Sequence, residues 1–111
     1  LYREQLNPKY IFSAPCKSHE FNNFHLFVIQ VECRDDLKTY LTERGIITAI
    51  HYRQPLHLQP AAAGCGYQKG SFPKAEHQAN HILSLPIHQY LKEEDVLYVA
   101  DCINNFYTNK P

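Results

Sequence analysis

Methionine and tryptophan are absent from this chain of 111 residues, and glycine occurs only 4 times. Charge of one sign is also lacking: 11 Lys and Arg balance 11 Asp and Glu, for a formal net charge of zero. That balance removes the general electrostatic case for a nucleic-acid or anionic-membrane partner, because both need clustered excess cations. No apolar run approaches the roughly 20 residues of a membrane span. No basic stretch followed by an apolar segment comes after Leu1, so no signal peptide is read and the expected compartment is cytoplasmic. The sequence has no P-loop, no GxSxG, no GxGxxG, and no paired carboxylates beyond the acids at helix starts. Cys16, Cys33, Cys65 and Cys102 share no CxxC spacing. Reduced and mostly buried thiols are therefore expected. The missing methionine, with Leu1 in first place, leads to the expectation of a piece of a longer protein.

What is present is ordinary for a folded domain: 44% of residues are hydrophobic and 20% charged. The length suits one domain, 1–111, with a modest core that buries about 60–70% of the unfolded surface. Tyr2–Leu6 reads as a short helix stopped by Asn7-Pro8. A polar loop leads to the β-branched and aromatic run Phe24–Val31, read as a strand covered on both faces. Leu37, Tyr40 and Leu41 share one helical face, Asp35 and Asp36 acidify its first turn, and Gly45 suits the left-handed stop.

A further strand is expected at Ile46–Tyr52, then a loop with a short helical turn around Ala61–Gly66. Pro73 fits the first turn of another helix with Ala75, Ala79 and Ile82 as its buried stripe. Leu83–Ile87, interrupted by Pro86, reads as an edge strand. Val96, Val99, Ala100, Ile103, Phe106 and Tyr107 keep the helical period behind Glu93, Glu94 and Asp95. The order predicts an α/β (α+β) fold, a small sheet with helices on one face.

The segment His51-Tyr52-Arg53-Gln54-Pro55-Leu56-His57-Leu58-Gln59-Pro60 carries the most chemistry. It follows an expected strand, and strand ends in α/β folds are frequent ligand sites. Its guanidinium, imidazoles, phenol and amides suit phosphate or sugar oxygens. The alternative is a polar loop whose side chains cap local backbone groups. His77 and His81 have the i, i+4 spacing of zinc ligands, but no third ligand is placed nearby and a solvated helix face accounts for them equally. His88 either lines the same pocket or caps a turn, and His19 and His25 are isolated. The lysines (Lys9, Lys17, Lys38, Lys69, Lys74, Lys92, Lys110) fall in polar loops or on exposed helix faces. None is placed to be desolvated against a cofactor, and no catalytic or metal-binding residue is assigned.

Three blocks in order give this reading a family. Gly45-Ile46, His51-Tyr52 and Pro55-Leu56-His57-Leu58-Gln59-Pro60 form the first. Gly66-Tyr67 with Gly70-Ser71-Phe72-Pro73-Lys74-Ala75-Glu76 forms the second, and Ile82-Leu83-Ser84-Leu85-Pro86-Ile87-His88 the third. With Phe24-His25-Leu26-Phe27-Val28 upstream and Glu94-Asp95-Val96 downstream, the chain resembles the DegT/DnrJ group of sugar-nucleotide aminotransferases from Leu1 to Phe106. The resemblance implies the C-terminal small domain of the aspartate-aminotransferase fold (fold type I).

It also implies a homodimeric parent whose large N-terminal domain, absent here, holds pyridoxal phosphate on a lysine. Glutamate would donate the amino group to a keto sugar of a nucleoside diphosphate. Carried over, His51 and Tyr52 become donors to diphosphate or sugar oxygens. His57 and Gln59 match the motif and either bind ligand or brace the loop. Arg53 departs from the proline common in relatives and is either an extra phosphate contact or a solvated side chain. Ala61–Cys65 departs from the family's aromatic-containing segment. This piece is expected to contact substrate, to hold no cofactor and to be inactive alone. A large-domain-facing apolar patch is expected to promote self-association. A free-standing binding module of the same fold is the alternative.

Overall fold

The computed structural model describes residues 1–109. Lys110 and Pro111 lie outside the described residues. Helix α1 (Tyr2–Gln5) leads to strand β1 (Ile11–Phe12), and β2 (Phe27–Val31) is followed by α2 (Arg34–Thr42). Two 3-10 turns, Leu56–Leu58 and Pro60–Cys65, precede α3 (Pro73–His81), β3 (Ile82–Leu85) and α4 (Glu93–Thr108). The strands form a three-stranded antiparallel sheet in the order β1-β2-β3.

Alternation fixes which face of the sheet is packed. Phe27, Ile29 and Val31 on β2 are buried while Val28 and Gln30 between them are half-buried. The sequence reading of a strand covered on both faces thus holds fully for one face and in part for the other, which is half covered. Against the buried face pack Leu37 and Leu41 of α2 and Val99, Ala100 and Ile103 of α4, with Tyr2 and Leu6 at one side. Ile29, Leu37, Leu41, Leu83 and Ile103 are fully buried. Each contributes about 1.5–3 kcal/mol by leaving water. The expectation of helices on one face holds for α1, α2 and α4. By contrast, α3 contributes His77 and His81 to a depression that Gln30 and Phe12 line from the sheet's other side.

Local chemistry sets the helix ends. Gly45 at φ 76° takes the left-handed position, with Gly45 N donating to Thr42 O and Ile46 N to Leu41 O, so α2 stops there. At the start of α4 the Lys92 N–H donates to Asp95 Oδ2 at 3.1 Å. Asn104 on α4 joins α1 to it: its Oδ1 accepts from Asn7 N at 3.0 Å and its Nδ2 donates to Gln5 O at 2.8 Å. The buried Arg34 caps the far end of α3, Nη1 donating to Ala79 O and Ile82 O. Burial raises the Tyr2 hydroxyl to about 12, and its proton goes to Pro86 O.

Several expectations are corrected. Ile46–Tyr52 does not form a strand; it makes one isolated bridge, Ala49 to Ser84. Its alternation is real, with Ile46 and Thr48 buried and Ile47 exposed. Ala75 is exposed rather than part of the buried stripe of α3. Of the four cysteines only Cys102 is buried; all are free thiols. Lys38 is not on an exposed helix face: its Nζ is half-buried and donates to Thr48 O at 2.7 Å. β1, only two residues long, has too little sequence to show a period.

Candidate substrate groove

After Ala49 the backbone leaves β3, and the His51–Tyr52 peptide bond is cis. This turn and the first 3-10 turn make one wall of a groove of about 470 Å³. The opposite wall is α3 and its approach, from Phe72 through Ala75 and Ala79 to Ile82. Pro55 and Leu56 add apolar surface, while His51, Tyr52, Gln54 and Gln59 bring polar atoms to it. A mostly apolar cleft with a few placed polar groups is the usual form of a small-molecule site.

Four of the five sequence-selected residues line this groove: His51, Tyr52, His57 and Gln59. Arg53 does not. It is exposed and sits 3.4 Å from Asp35 Oδ1, which also accepts a 2.8 Å bond from Arg34 Nε. Tyr52 is 74% exposed, with its ring edge-on to His51 at 5.6 Å. Gln59 turns its amide to Gln54 O. His57 is the most enclosed of the set, its side chain 6% exposed. Its Nε2 lies 2.9 Å from Glu76 Oε1. The same oxygen accepts from Gly70 N at 2.7 Å. These bonds, first the one from His57 and then that from Gly70, hold the Glu76 carboxyl below its ordinary value of 4.5. Phe72 meets the rings of His57 and Tyr67 edge-on, each at 4.9 Å. The His57–Glu76 contact thus links the first 3-10 turn to α3 across the groove.

Sequence reasoning missed two residues of this region. Glu76 was part of a motif but had no role; its signal is an acid in the first turn of α3 opposite a histidine-bearing loop. Ser84 is the one polar residue in β3, is only 4% exposed, and has its Oγ 2.9 Å from His51 Nδ1. His88 accepts from Tyr90 N at 3.3 Å and caps that turn. His77 and His81 stack at 3.9 Å, and His81 Nε2 faces Glu32 at 3.4 Å. Among the described residues no group of three His, Cys, Asp or Glu is arranged to hold a metal. None of the described lysines lines the groove. Its residues therefore do not form a set that would hold pyridoxal phosphate through a lysine.

A three-stranded sheet backed by helices is the architecture that the comparisons with known proteins match. The chain belongs to the DegT/DnrJ/EryC1/StrS aminotransferase family, which it matches over residues 1–104. It is 43% identical over 83 residues to the dTDP-3-amino-3,4,6-trideoxy-alpha-D-glucose transaminase of Streptomyces venezuelae, covering 75% of this chain and 22% of that protein. It is 45% identical over 87 residues to the pleiotropic regulatory protein of Geobacillus stearothermophilus, covering 78% of this chain and 23% of that one. It superposes on S. venezuelae DesV, solved in complex with a ketimine intermediate, with a TM-score of 0.93 and 35% identity. That match covers 99% of this chain and 30% of DesV. The chain thus spans between a fifth and a third of the length of these relatives. The family is pyridoxal-phosphate dependent, and no helix among the described residues is long and apolar enough to cross a membrane.

Proposed function

We propose that the chain is the C-terminal small domain of an aminotransferase that moves an amino group from glutamate to the keto sugar of a nucleoside-diphosphate sugar. Pyridoxal phosphate, held by the large domain, supplies the electron sink for that transfer. This chain's own residues bind and orient. His51 and Tyr52 donate to diphosphate or sugar oxygens, the apolar wall from Phe72 to Ile82 excludes water, and the His57–Glu76 brace ties the two walls together. Arg53, held toward Asp35, stands outside this set in the free domain and would reach a phosphate only by leaving that pair. The parent is a cytoplasmic homodimer, and the domain alone does not transaminate.

The observation that carries the reading is the convergence of His51, Tyr52 and Gln59 on one groove in a chain of this family. Thymidine diphosphate titrated into the isotope-labelled chain is expected to shift the resonances of His51, Tyr52 and the Phe72–Ile82 wall. Shifts confined to another face, or none at millimolar nucleotide, would overturn the assignment. A coding frame that continues upstream of Leu1 to a cofactor lysine is the expected genetic context, and a start codon beside Leu1 would refute the small-domain reading.

A further inference from the structure

We propose that Ser84 is a positioning residue that holds His51 in its Nε2–H tautomer, giving the groove a neutral N–H donor for a phosphate oxygen. The inference deepens the nucleotide-sugar reading and rests on it for the identity of the anion. The tautomer itself is argued from geometry alone.

Ser84 and Ala49 exchange two backbone bonds, Ser84 N to Ala49 O at 2.8 Å and Ala49 N to Ser84 O at 3.1 Å. This lone bridge sets the register of the crossing segment and brings His51, two residues on, over the Ser84 hydroxyl. The Oγ to Nδ1 distance is 2.9 Å. Ser84 is 4% exposed, so solvent is no ready partner for its proton. Among the described residues the one acceptor in reach of that proton is His51 Nδ1.

A hydroxyl buried without an acceptor is costly, whereas an oxygen that fails to accept a second bond is less so. The proton therefore points from Ser84 to Nδ1, and Nδ1 is the bare nitrogen. A neutral imidazole carries one N–H, which then sits on Nε2. The opposite arrangement, Nδ1–H donating to Oγ, would leave the serine proton with no partner.

The consequence is a donor that needs no charge. An imidazolium at the edge of an apolar groove would have to be desolvated whenever the groove closed. A neutral Nε2–H avoids that cost and still matches the oxygen-rich face of a diphosphate, where donors of fixed direction are effective. Ser84 thus sets the hydrogen-bond polarity of His51 without touching ligand.

The test uses the 15N-labelled 111-residue chain and long-range 1H–15N correlation at alkaline pH, where imidazoles in general are neutral. The expected pattern for His51 is a bare Nδ1 and a protonated Nε2; a protonated Nδ1 overturns the proposal. Ser84→Ala keeps the Ala49 backbone pairing and is expected to release His51 into a mixture of tautomers. Ser84→Thr, which retains a hydroxyl, is expected to restore the single form. Retention of the Nε2–H form in Ser84→Ala would also overturn it. Thymidine diphosphate is expected to bind Ser84→Ala about twofold more weakly than wild type, because a mixture of tautomers leaves only part of the population with the Nε2–H donor. If the wild type shows the Nε2–H form but binds no nucleotide, the nucleotide reading fails and the Ser84 assignment stands.

Discussion

On the packed face of the sheet Ile29, Leu37, Leu41, Leu83 and Ile103 are wholly out of solvent, whereas among the residues that line the groove only Ala79 is buried as a whole residue. Tyr52 and Leu56 on the groove side are 74% and 81% exposed. The first region is held by apolar area, which is additive and indifferent to direction. The second is held by a few directional bonds: His51 to Ser84, His57 to Glu76, and Glu76 to Gly70. The packed face and the groove thus rest on different residues and on different kinds of interaction.

The largest expected effect breaks the first region. Ile103→Ala or Leu83→Ala should cost about 2–5 kcal/mol of unfolding free energy in urea titrations. A cost below about 1 kcal/mol would mean that this face is not the main source of stability. The next concerns the exposed apolar side of the groove. Leu56→Glu should shift self-association seen by sedimentation toward monomer, weakening it about tenfold for loss of one leucine's burial. A wild-type chain that is strictly monomeric at high concentration would remove the premise.

A smaller effect separates the brace from the core. The Glu76 carboxyl is lowered from 4.5 in the folded chain, so its contribution is complete above that value and is lost as pH falls through the lowered folded value. The difference in Tm between wild type and Glu76→Gln should therefore be steady above about pH 5 and shrink in acid. Amide exchange in the variant should quicken at Gly70 and the 55–66 segment while α4 keeps its protection. Equal loosening of α4 would tie the brace to the core after all. Arg53→Ala is expected to change least, within about 0.5 kcal/mol, since both it and Asp35 are exposed.

The same division explains what could be read from the sequence. The packed region follows periodicity: the faces of α2 and α4, the alternation of β2 and the stop at Gly45 are all visible in residue spacing. The groove was legible as a polar loop and a family motif, which pointed to His51, Tyr52, His57 and Gln59 but not to their arrangement. Ile46–Tyr52 looks like a strand because Ile46 and Thr48 do turn inward, yet among the described residues it pairs only at Ser84. Arg53 was drawn in by its chemistry, although the carboxylate that engages it, Asp35, lies on another element. Ala75 was expected inside for its small apolar side chain and instead lies open on the groove wall. Partners distant in sequence, such as Ser84 and Glu76, are set by the tertiary fold, which no local pattern encodes.

The Asn104 amide gives the chain a schedule. Its partners at the end of α1 lie 97 and 99 residues earlier. At ribosomal speeds those backbone groups wait on the order of ten seconds for the side chain that satisfies them. Helix α1 therefore docks only once Asn104 has been made, and a ribosome stalled before Asn104 would leave α1 without its seat.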